Sequence, residues 1–351
     1  MLSFVKYIKG FEMQKKYLFL GPKKNVYNPE LIGGVIVLFE NLLEYCDEYH
    51  IEYDVIDTNK ANYKNKLYAY IQILILLFKK VGKSTHISLH GTANDYLLIA
   101  PFALLVSKCF GKHFSLRKFA GNFIEIYENY STLQRFIINM TLKYSSCNFF
   151  ETKYLVEYFK KFNPNTFWFP NVRKKSLYHT GEKFRKKFVY LGAVKKEKGI
   201  DILCEASNLL SAEYTIDIFG ALYDGYEEST FEKFNVRYRG VLNNGMVIDK
   251  LLTYDVLILP SLREGYPGVI IEALSIGMPI IATNLPSIQE MVDDSSSILI
   301  EPLNVVQLKE AIEFFDIYNY EGKLQNALQQ FKKFDSEIQT NLFFKWINNN
   351  A

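Results

Sequence analysis

Short apolar runs alternate with longer segments of helical spacing along the whole chain. In the first half, the apolar runs occupy residues 17–21, 53–57, 85–89, 114–117, 147–150 and 166–169. A segment of helical spacing, residues 35–45, follows the first run after a loop that contains Gly33 and Gly34. This alternation predicts a parallel sheet with helices on its faces.

Residues 188–192 begin a second and more regular series of the same kind. Its predicted strands are residues 188–192, 214–219, 236–239, 256–259, 280–282 and 298–300. Its predicted helices are residues 199–210, 246–252, 267–275, 285–291 and 306–318. A last helical segment, residues 336–346, has no strand after it, so we expect it to pack back on the first sheet. The fold class is therefore α/β, with two Rossmann-like parallel-sheet domains.

The two series also predict the domain boundaries. Residues 1–171 form a first domain, 172–187 a basic linker, 188–330 a second domain, and 331–351 a helix that packs on the first domain. The linker carries seven basic residues against one acidic residue, Glu182. We interpret it first as a solvated connection, with a contact to anionic lipid headgroups as the alternative. No nucleic-acid-binding motif accompanies it.

The composition indicates a soluble protein. Hydrophobic residues make up 49% and charged residues 23% of the 351 positions, and the net charge is +3. No apolar run reaches the roughly 18 residues that cross a bilayer. Residues 67–78 and 96–106 are predicted core helices, with shallow membrane contact as the alternative. Charges within residues 1–10 argue against a signal peptide, so we expect a cytoplasmic location, or a peripheral one on the inner membrane face.

The cysteine and histidine positions predict no metal site. The five histidines show no zinc-binding spacing. The cysteines are scattered without paired spacing and are predicted to be reduced core residues. They are Cys46, Cys109, Cys147 and Cys204.

Residues 260–272 carry the strongest candidate chemistry. The segment runs Pro-Ser-Leu-Arg-Glu-Gly-Tyr-Pro-Gly-Val-Ile-Ile-Glu, from the end of a predicted strand into a predicted helix. Free backbone N–H groups and the helix dipole at such a point favour phosphate and sugar hydroxyls. Pro267 suits the first helical turn because it has no N–H to lose. Glu264 and Glu272 can accept hydrogen bonds from pairs of hydroxyls.

These two glutamates, eight positions apart with seven residues between them and preceded by a Pro-Ser strand end, resemble the donor site of family 4 glycosyltransferases. That family has the GT-B fold, in which two Rossmann-like domains face a cleft. The resemblance covers about residues 188–305 and implies a retaining enzyme that takes a sugar from a nucleotide diphosphate sugar. The further matching segments, in order, are Gly192 with Lys198-Gly199, Arg239-Gly240-Val241, and residues 277–290.

The resemblance implies a role for each matching residue. Lys198 and Glu264 are the expected catalytic residues: the lysine stabilises the leaving diphosphate and the glutamate binds donor-sugar hydroxyls. Ala193 departs from the family, because many members have an arginine there that shares the diphosphate charge. Lys195 and Lys196 are candidate substitutes for that arginine. The expected donor-binding residues are Gly33, Gly34, Gly192, Lys198, Val241, Glu264, Gly265, Tyr266, Pro267 and Glu272, the last of them on the ribose.

The first domain is expected to hold the acceptor. His90, Gly121 and Asn122 are acceptor-side candidates because they follow predicted strands, where ligands of such sheets bind. A structural role is the alternative for His90. Phe119 stands near the position where many family members have a histidine, so no catalytic base is assigned. In a retaining front-face reaction the departing phosphate can itself take the acceptor's proton.

The resemblance implies a UDP- or GDP-sugar donor and a polysaccharide, lipopolysaccharide or glycolipid acceptor, with no cofactor. The chain has no Asp-x-Asp pair, which holds a divalent cation in glycosyltransferases of the other major fold. We therefore predict no metal requirement. Two alternatives are a nucleotide-sugar epimerase of the same fold, which needs no acceptor, and a catalytically silent sugar-nucleotide-binding protein, which Ala193 and Phe119 favour.

Overall fold

A computed structural model describes residues 16–28, 33–119, 121–181 and 183–350, without the side chains of residues 244 and 317. The residues used to argue against a signal peptide, 1–10, lie outside these ranges. The chain divides into two compact units. One comprises the chain up to Phe169 together with the residues from Thr340 onward, and the other comprises Pro170–Gln339.

The first unit is built on a six-stranded sheet in which all neighbouring strands are parallel. The strand order is β2-β1-β3-β4-β5-β6, so β2 lies on one side of β1, and β3 to β6 follow one another on the other side. Every residue of β1 and β3 is buried, as expected for strands that are covered on both faces. The strands are β1 (Tyr17–Gly21), β2 (Tyr53–Asp57), β3 (His86–Gly91), β4 (His113–Lys118), β5 (Cys147–Phe150) and β6 (Thr166–Trp168).

Seven α-helices lie between these strands in the described ranges. The predicted helix over residues 96–106 is two helices, because the chain breaks at Ile99 and Pro101 then falls in the first turn of α4, where its missing N–H costs nothing. The helices are α1 (Gly34–Glu48), α2 (Lys66–Val81), α3 (Ala93–Leu98), α4 (Ala100–Cys109), α5 (Phe123–Glu128), α6 (Thr132–Tyr144) and α7 (Lys153–Phe159).

The end of the chain completes the core of the first unit. The ring of Trp346 stacks on Phe167 of β6 with 4.1 Å between centroids. The Tyr17 hydroxyl of β1 donates a hydrogen bond to the Asn348 side chain, 2.9 Å away. Both partners belong to α14 (Ser336–Asn349). The predicted return of the C-terminal helix to the first sheet is confirmed.

The second unit contains a second six-stranded parallel sheet, of order β12-β11-β10-β7-β8-β9. Its two central strands, β10 and β7, are the ones that lead into the segments singled out in the sequence. The strands are β7 (Lys187–Leu191), β8 (Thr215–Phe219), β9 (Arg237–Tyr238), β10 (Val256–Leu259), β11 (Ile280–Thr283) and β12 (Ser297–Ile300).

The helices of the second unit differ from the sequence prediction at one place. The predicted helix over 306–318 ends at Phe314, because the Asp316 side chain accepts a hydrogen bond from the Asn319 N–H and starts a new helix, α13. The helices are α8 (Ile200–Ser207), α9 (Val247–Leu251), α10 (Gly268–Ser275), α11 (Pro286–Gln289), α12 (Val305–Phe314) and α13 (Ile317–Phe331).

Two expectations about exposure can be compared with the structure. No helix in the described ranges combines the length and the hydropathy needed to cross a membrane. Cys46, Cys147 and Cys204 are buried, and burial raises the pKa of each thiol to about 12. Cys109, at the end of α4, is exposed, so the prediction of a core position is wrong for this cysteine.

Candidate functional site

The carboxyl ends of β7 and β10 bring Lys198 and Glu264 together. The two strands are neighbours in the centre of the second sheet, although their sequences lie far apart. The Lys198 Nζ lies 2.6 Å from Glu264 Oε1, and the lysine and glutamate side chains are 19% and 8% exposed. Because the pair is largely buried and therefore less screened by water and salt, its charges interact more strongly than those of a surface pair.

Two serines fix the position of Glu264. The Ser261 hydroxyl donates to Glu264 Oε1 at 2.7 Å, and the Ser287 hydroxyl donates to the Glu264 backbone carbonyl at 3.0 Å. Ser287 belongs to α11, so two segments on either side of the glutamate hold it in place. The carboxylate is therefore oriented before any ligand arrives.

Gly199 allows this close approach of the two strand ends. It has φ +70°, a left-handed conformation that side chains disfavour, and a Cβ at this position would lie 1.9 Å from the Pro260 carbonyl oxygen. The Leu262 N–H also donates to the Glu197 carbonyl at 2.8 Å. The residue after Lys198 must therefore be glycine for the lysine loop to pack on the Pro260 loop.

The loop after β7 packs equally closely against the loop after β8. A Cβ on Gly220, at the end of β8, would lie 1.7 Å from the Gly192 carbonyl oxygen. Beneath it, the Tyr190 hydroxyl donates to the Ala193 carbonyl at 2.8 Å. Burial, together with the negative charge of Glu264, raises the pKa of Tyr190, so its hydroxyl stays protonated. Gly192 and Ala193 thus form a fixed backbone loop.

Helix α10 begins shortly after Glu264. Pro267 has extended backbone angles and is the N-cap residue, one position before the helix rather than within its first turn. No side chain caps this end, although the Ile270 N–H donates to the Pro267 carbonyl at 3.2 Å, and an uncapped helix start can offer its N–H groups to a ligand. Glu272 lies in the second turn. Gly265 is exposed, and a Cβ there would meet no atom within 4 Å; Tyr266 is buried, 8% exposed.

Arg173 joins this site and was missed in the sequence. Its Nε lies 2.9 Å from Glu272 Oε1, and both side chains are about one-fifth exposed, at 19% and 20%. The guanidinium also donates to the Asn171 side chain at 2.6 Å. A Cβ on Gly268 would lie 2.4 Å from Arg173 Nη2, which places this cation at the start of α10. No sequence motif marked it, because it lay within a run of basic residues.

Other basic residues of segment 172–187 also have partners in the second unit. Arg185 lies 2.8 Å from the buried Asp255, and Lys186 lies 2.6 Å from Glu213. Lys187 opens β7. Several charges of the predicted solvated linker therefore anchor it to the second sheet.

The loop predicted to meet the nucleotide base follows β9. Gly240 has φ +79° and its carbonyl accepts a hydrogen bond from the Gly220 N–H at 2.9 Å, so this loop is tied to the loop after β8. Val241 is 66% exposed. Lys195, one candidate substitute for the missing arginine, pairs with Glu197, which raises the pKa of the lysine.

The residues proposed for the first domain lie in two different environments. His90 is fully buried, its Nε2 lies 3.0 Å from the Ser88 hydroxyl, and the rings of Phe19 and Phe343 pack edge-on against it. Burial, with the positive charge of Arg117, holds the pKa of His90 well below its usual range. This geometry favours the structural interpretation of His90. Phe119 is buried beside it.

The glycine and asparagine candidates are accessible. Gly33 is the N-cap of α1, and a Cβ at Gly33 or Gly34 would meet no protein atom within 4 Å. The protein's own packing therefore does not require glycine at either position. Gly121 is half-buried and Asn122 is exposed at the start of α5.

The second-unit site thus combines two cations, two carboxylates and an uncapped helix start. Across the parts of the chain that the structure describes, there is no cluster of three or more His, Cys, Asp or Glu arranged to hold a metal ion. Cations and a helix start suit a phosphate, and carboxylates suit neighbouring hydroxyls. The arrangement fits a phosphorylated ligand that also carries hydroxyl groups.

Comparison with known proteins agrees with this chemistry. Residues 185–315 match the family "Glycosyl transferases group 1". The chain is 34% identical over 128 residues to TuaC of Bacillus subtilis, a protein to which glycosyl transfer in teichuronic acid biosynthesis is attributed. That match covers 36% of this chain and 32% of TuaC. A 41.2 kDa protein encoded in the cps region of Klebsiella pneumoniae is 30% identical over 130 residues, 36% of this chain and 35% of that protein.

The solved structures match over nearly the whole chain. HepE of Anabaena, crystallised with UDP, aligns with TM-score 0.70 and 13% identity over 95% of this chain and 100% of HepE. The lipopolysaccharide outer core galactosyltransferase WaaB aligns with TM-score 0.67 and 15% identity over 96% of this chain and 100% of WaaB. The predicted GT-B fold is confirmed. The sequence likeness to the glycosyl transferases group 1 family lies in residues 185–315, which contain Lys198, Glu264 and Glu272.

Proposed function

We propose that this protein transfers a sugar, with retention of configuration, from a nucleotide diphosphate sugar to a glycan or glycolipid acceptor. The observation that carries the proposal is the Lys198–Glu264 pair beside the uncapped start of α10. It lies inside the segment that matches the family. The curated relatives are matched over only about a third of their length, so the activity is inferred from the site.

In this proposal the donor replaces protein partners that are already in place. Lys198 moves from Glu264 to the diphosphate, which also receives the first N–H groups of α10. Glu264 then accepts hydrogen bonds from sugar hydroxyls, with Gly265, Tyr266 and Pro267 lining the sugar. Because the two ends of the pair exchange one partner for another, neither charge is left unpaired when the donor binds.

Glu272 and Arg173 form the second exchange. The resemblance implies that Glu272 binds the ribose, and Arg173, which pairs with Glu272, has its Nη2 at the start of α10. We propose that Arg173 supplies the second cation for the diphosphate, in place of the arginine that Ala193 replaces. A bidentate guanidinium suits this role better than Lys195, which is half-buried and paired with Glu197.

The departing diphosphate is the centre of the proposed mechanism. Lys198, Arg173 and the helix start stabilise the negative charge that grows on the leaving oxygen. Since His90 is buried and neutral, the leaving phosphate itself takes the acceptor's proton in the proposed front-face reaction. Gly33 and Gly34 leave open space at the start of α1, which suits close approach of a ligand to the backbone.

The relatives guide the choice of substrates. HepE binds UDP and UDP-glucose in its crystals, and WaaB is a galactosyltransferase of the lipopolysaccharide outer core. A UDP-hexose donor and a cell-surface polysaccharide or lipopolysaccharide acceptor are therefore our proposal for this chain. We also propose that the reaction takes place in the cytoplasm or on the inner face of the membrane.

Release of nucleoside diphosphate tests the proposal. The protein is incubated with UDP-, GDP- and ADP-sugars, with and without a bacterial glycolipid extract and in the presence of EDTA. We expect release of one diphosphate that needs the extract and persists in EDTA, and a product with the donor's anomeric configuration by NMR. An isomerised nucleotide sugar without extract would identify an epimerase, and binding without turnover a silent protein. Either result would overturn the proposal.

A further inference from the structure

Three helices of the first unit have an unusual outer surface. Helices α2, α4 and α6 pack beside one another in that order. Each buries an apolar stripe; α2 does so with Ala69, Ile73, Leu77 and Val81. A helix that covers a sheet normally has polar residues on the opposite side, where it meets water.

The opposite side of α2 is apolar instead. Leu67, Ile71, Ile75 and Phe78 recur at helical spacing and are 71%, 48%, 40% and 58% exposed. The helix is therefore apolar on two sides, and only one of them faces the core. Such exposed apolar stripes mark binding surfaces in soluble proteins.

The neighbouring helices extend this stripe. Phe102 and Leu105 of α4 are 52% and 60% exposed, and Leu133 and Phe136 of α6 are 67% and 58% exposed. We call the exposed surface of residues 66–83, 96–112 and 132–146 the three-helix face. It presents large apolar side chains from three adjoining helices to solvent.

The charges of the three-helix face are all of one sign. The three segments contain no Asp or Glu, although the chain has 38 of these residues. Their basic residues, most of them exposed, are Lys66, Lys79, Lys80, Lys83, Lys108, Lys112, Arg135 and Lys143. A surface that is both apolar and exclusively cationic complements one that is anionic at its surface and apolar below.

We propose that the three-helix face binds the surface of an anionic phospholipid bilayer. The apolar side chains enter the boundary between headgroups and acyl chains, and the lysines reach the lipid phosphates. A second copy of this chain fits poorly, because two such faces would bring only positive charges together. The alternative of shallow membrane contact, raised by residues 67–78 and 96–106, thus gains a defined surface. The proposal does not depend on the proposed transfer reaction.

Vesicle co-sedimentation of the full chain tests this inference. We expect binding to vesicles of phosphatidylglycerol mixed with phosphatidylcholine, weakening as salt is raised, and no comparable binding to phosphatidylcholine alone. Absence of binding to the anionic vesicles would overturn the proposal. So would a concentration-dependent dimer in which the face is protected, measured by ultracentrifugation and hydrogen exchange.

Paired variants locate the binding surface. K79Q/K108Q removes two exposed lysines of the face and should weaken binding roughly 30-fold, since each basic residue near an anionic membrane contributes about fivefold. F102S/F136S should reduce binding to the phosphatidylcholine level. The matched controls in the second unit, K233Q/K332Q and V306S/F314S, remove equally exposed groups and should bind normally. Equal losses in the face and control variants would refute the assignment.

Discussion

Replacing the two glutamates one at a time separates the two halves of the proposed donor site. Glu272→Gln and Glu264→Gln keep the shape of each side chain and remove its charge. Glu272 is held by Arg173, and Glu264 by Lys198 and Ser261. The two variants therefore release different cations and should have different consequences for the ligand.

The structure sets the expected sizes. A hydrogen bond to a charged group contributes about 1.5–3 kcal/mol, or roughly 10- to 150-fold in the dissociation constant. Glu272→Gln should weaken the binding of the nucleoside diphosphate and of the nucleotide sugar by the same factor. We expect a factor near the lower end of this range, because in the wild type the carboxylate must leave Arg173 before it can bind the ligand. Glu264→Gln should weaken only the nucleotide sugar. It frees Lys198, so affinity for the diphosphate alone should stay equal or rise.

Isothermal titration calorimetry with the nucleoside, the diphosphate and the nucleotide sugar measures these differences. Glu313→Gln is the matched control, because it breaks an exposed ion pair with Lys309 on α12. It should change none of the three affinities. Equal losses for both ligands in both site variants would refute the separate roles, and would indicate that the glutamates act only by holding the loops.

Three further predictions follow from single positions. In calorimetry, Arg173→Gln should lower the affinity for the nucleoside diphosphate about tenfold and the affinity for the nucleoside little, and Arg173→Lys should have an intermediate effect. Equal losses of affinity for the two ligands would contradict a phosphate role. Gly199→Ala should lower the free energy of unfolding by at least about 2 kcal/mol in urea titrations, since it adds left-handed strain to a clash with Pro260, whereas Gly322→Ala within α13 should raise it by about 0.5–1 kcal/mol. Burial lowers the pKa of Lys118 to about 8. Between that pH and the usual lysine pKa, Lys118 is therefore protonated in the unfolded chain but not in the native state. Across that interval the stability of the wild type should rise with pH relative to Lys118→Met, by roughly 3 kcal/mol; parallel pH profiles would contradict this.

The sequence predicted well whatever depends on local pattern. The inner strands β1, β3, β5, β10 and β11 are fully buried parallel strands, and their apolar runs are recognisable without knowing their neighbours. The segment from Pro260 to Glu272 was found for the same reason: strand end, glycine loop and helix start are consecutive. Lys198-Gly199 was also found as a local motif, but the left-handed backbone of Gly199 and its contact with the Pro260 carbonyl, which is distant in sequence, were not predicted.

Features that depend on distant contacts were missed or left open. Arg173 lies 99 residues before Glu272, and among neighbouring lysines it looked like one more solvated charge. His90 was left open between an acceptor-side role and a structural one, and the contact with Phe343 from the end of the chain, which favours the structural role, could not be predicted. The break before α13 depends on Asp316, whose side chain accepts a hydrogen bond from the Asn319 N–H and so starts a new helix. In each case the deciding partner or competing interaction was not visible from apolar spacing.

Thermal stability of the full chain in the presence of nucleotides tests the central claim most directly, that residues of the second unit form a donor site. UDP, GDP, ADP and their common sugars are compared for the wild type and Lys198→Gln. A ligand at 100 times its dissociation constant stabilises by about 2.7 kcal/mol, which is readily measured as a rise in Tm. We predict that the nucleotides of one base raise the Tm of the wild type, and that Lys198→Gln loses most of this rise. No rise with any nucleotide, or an equal rise in the variant, would contradict the account.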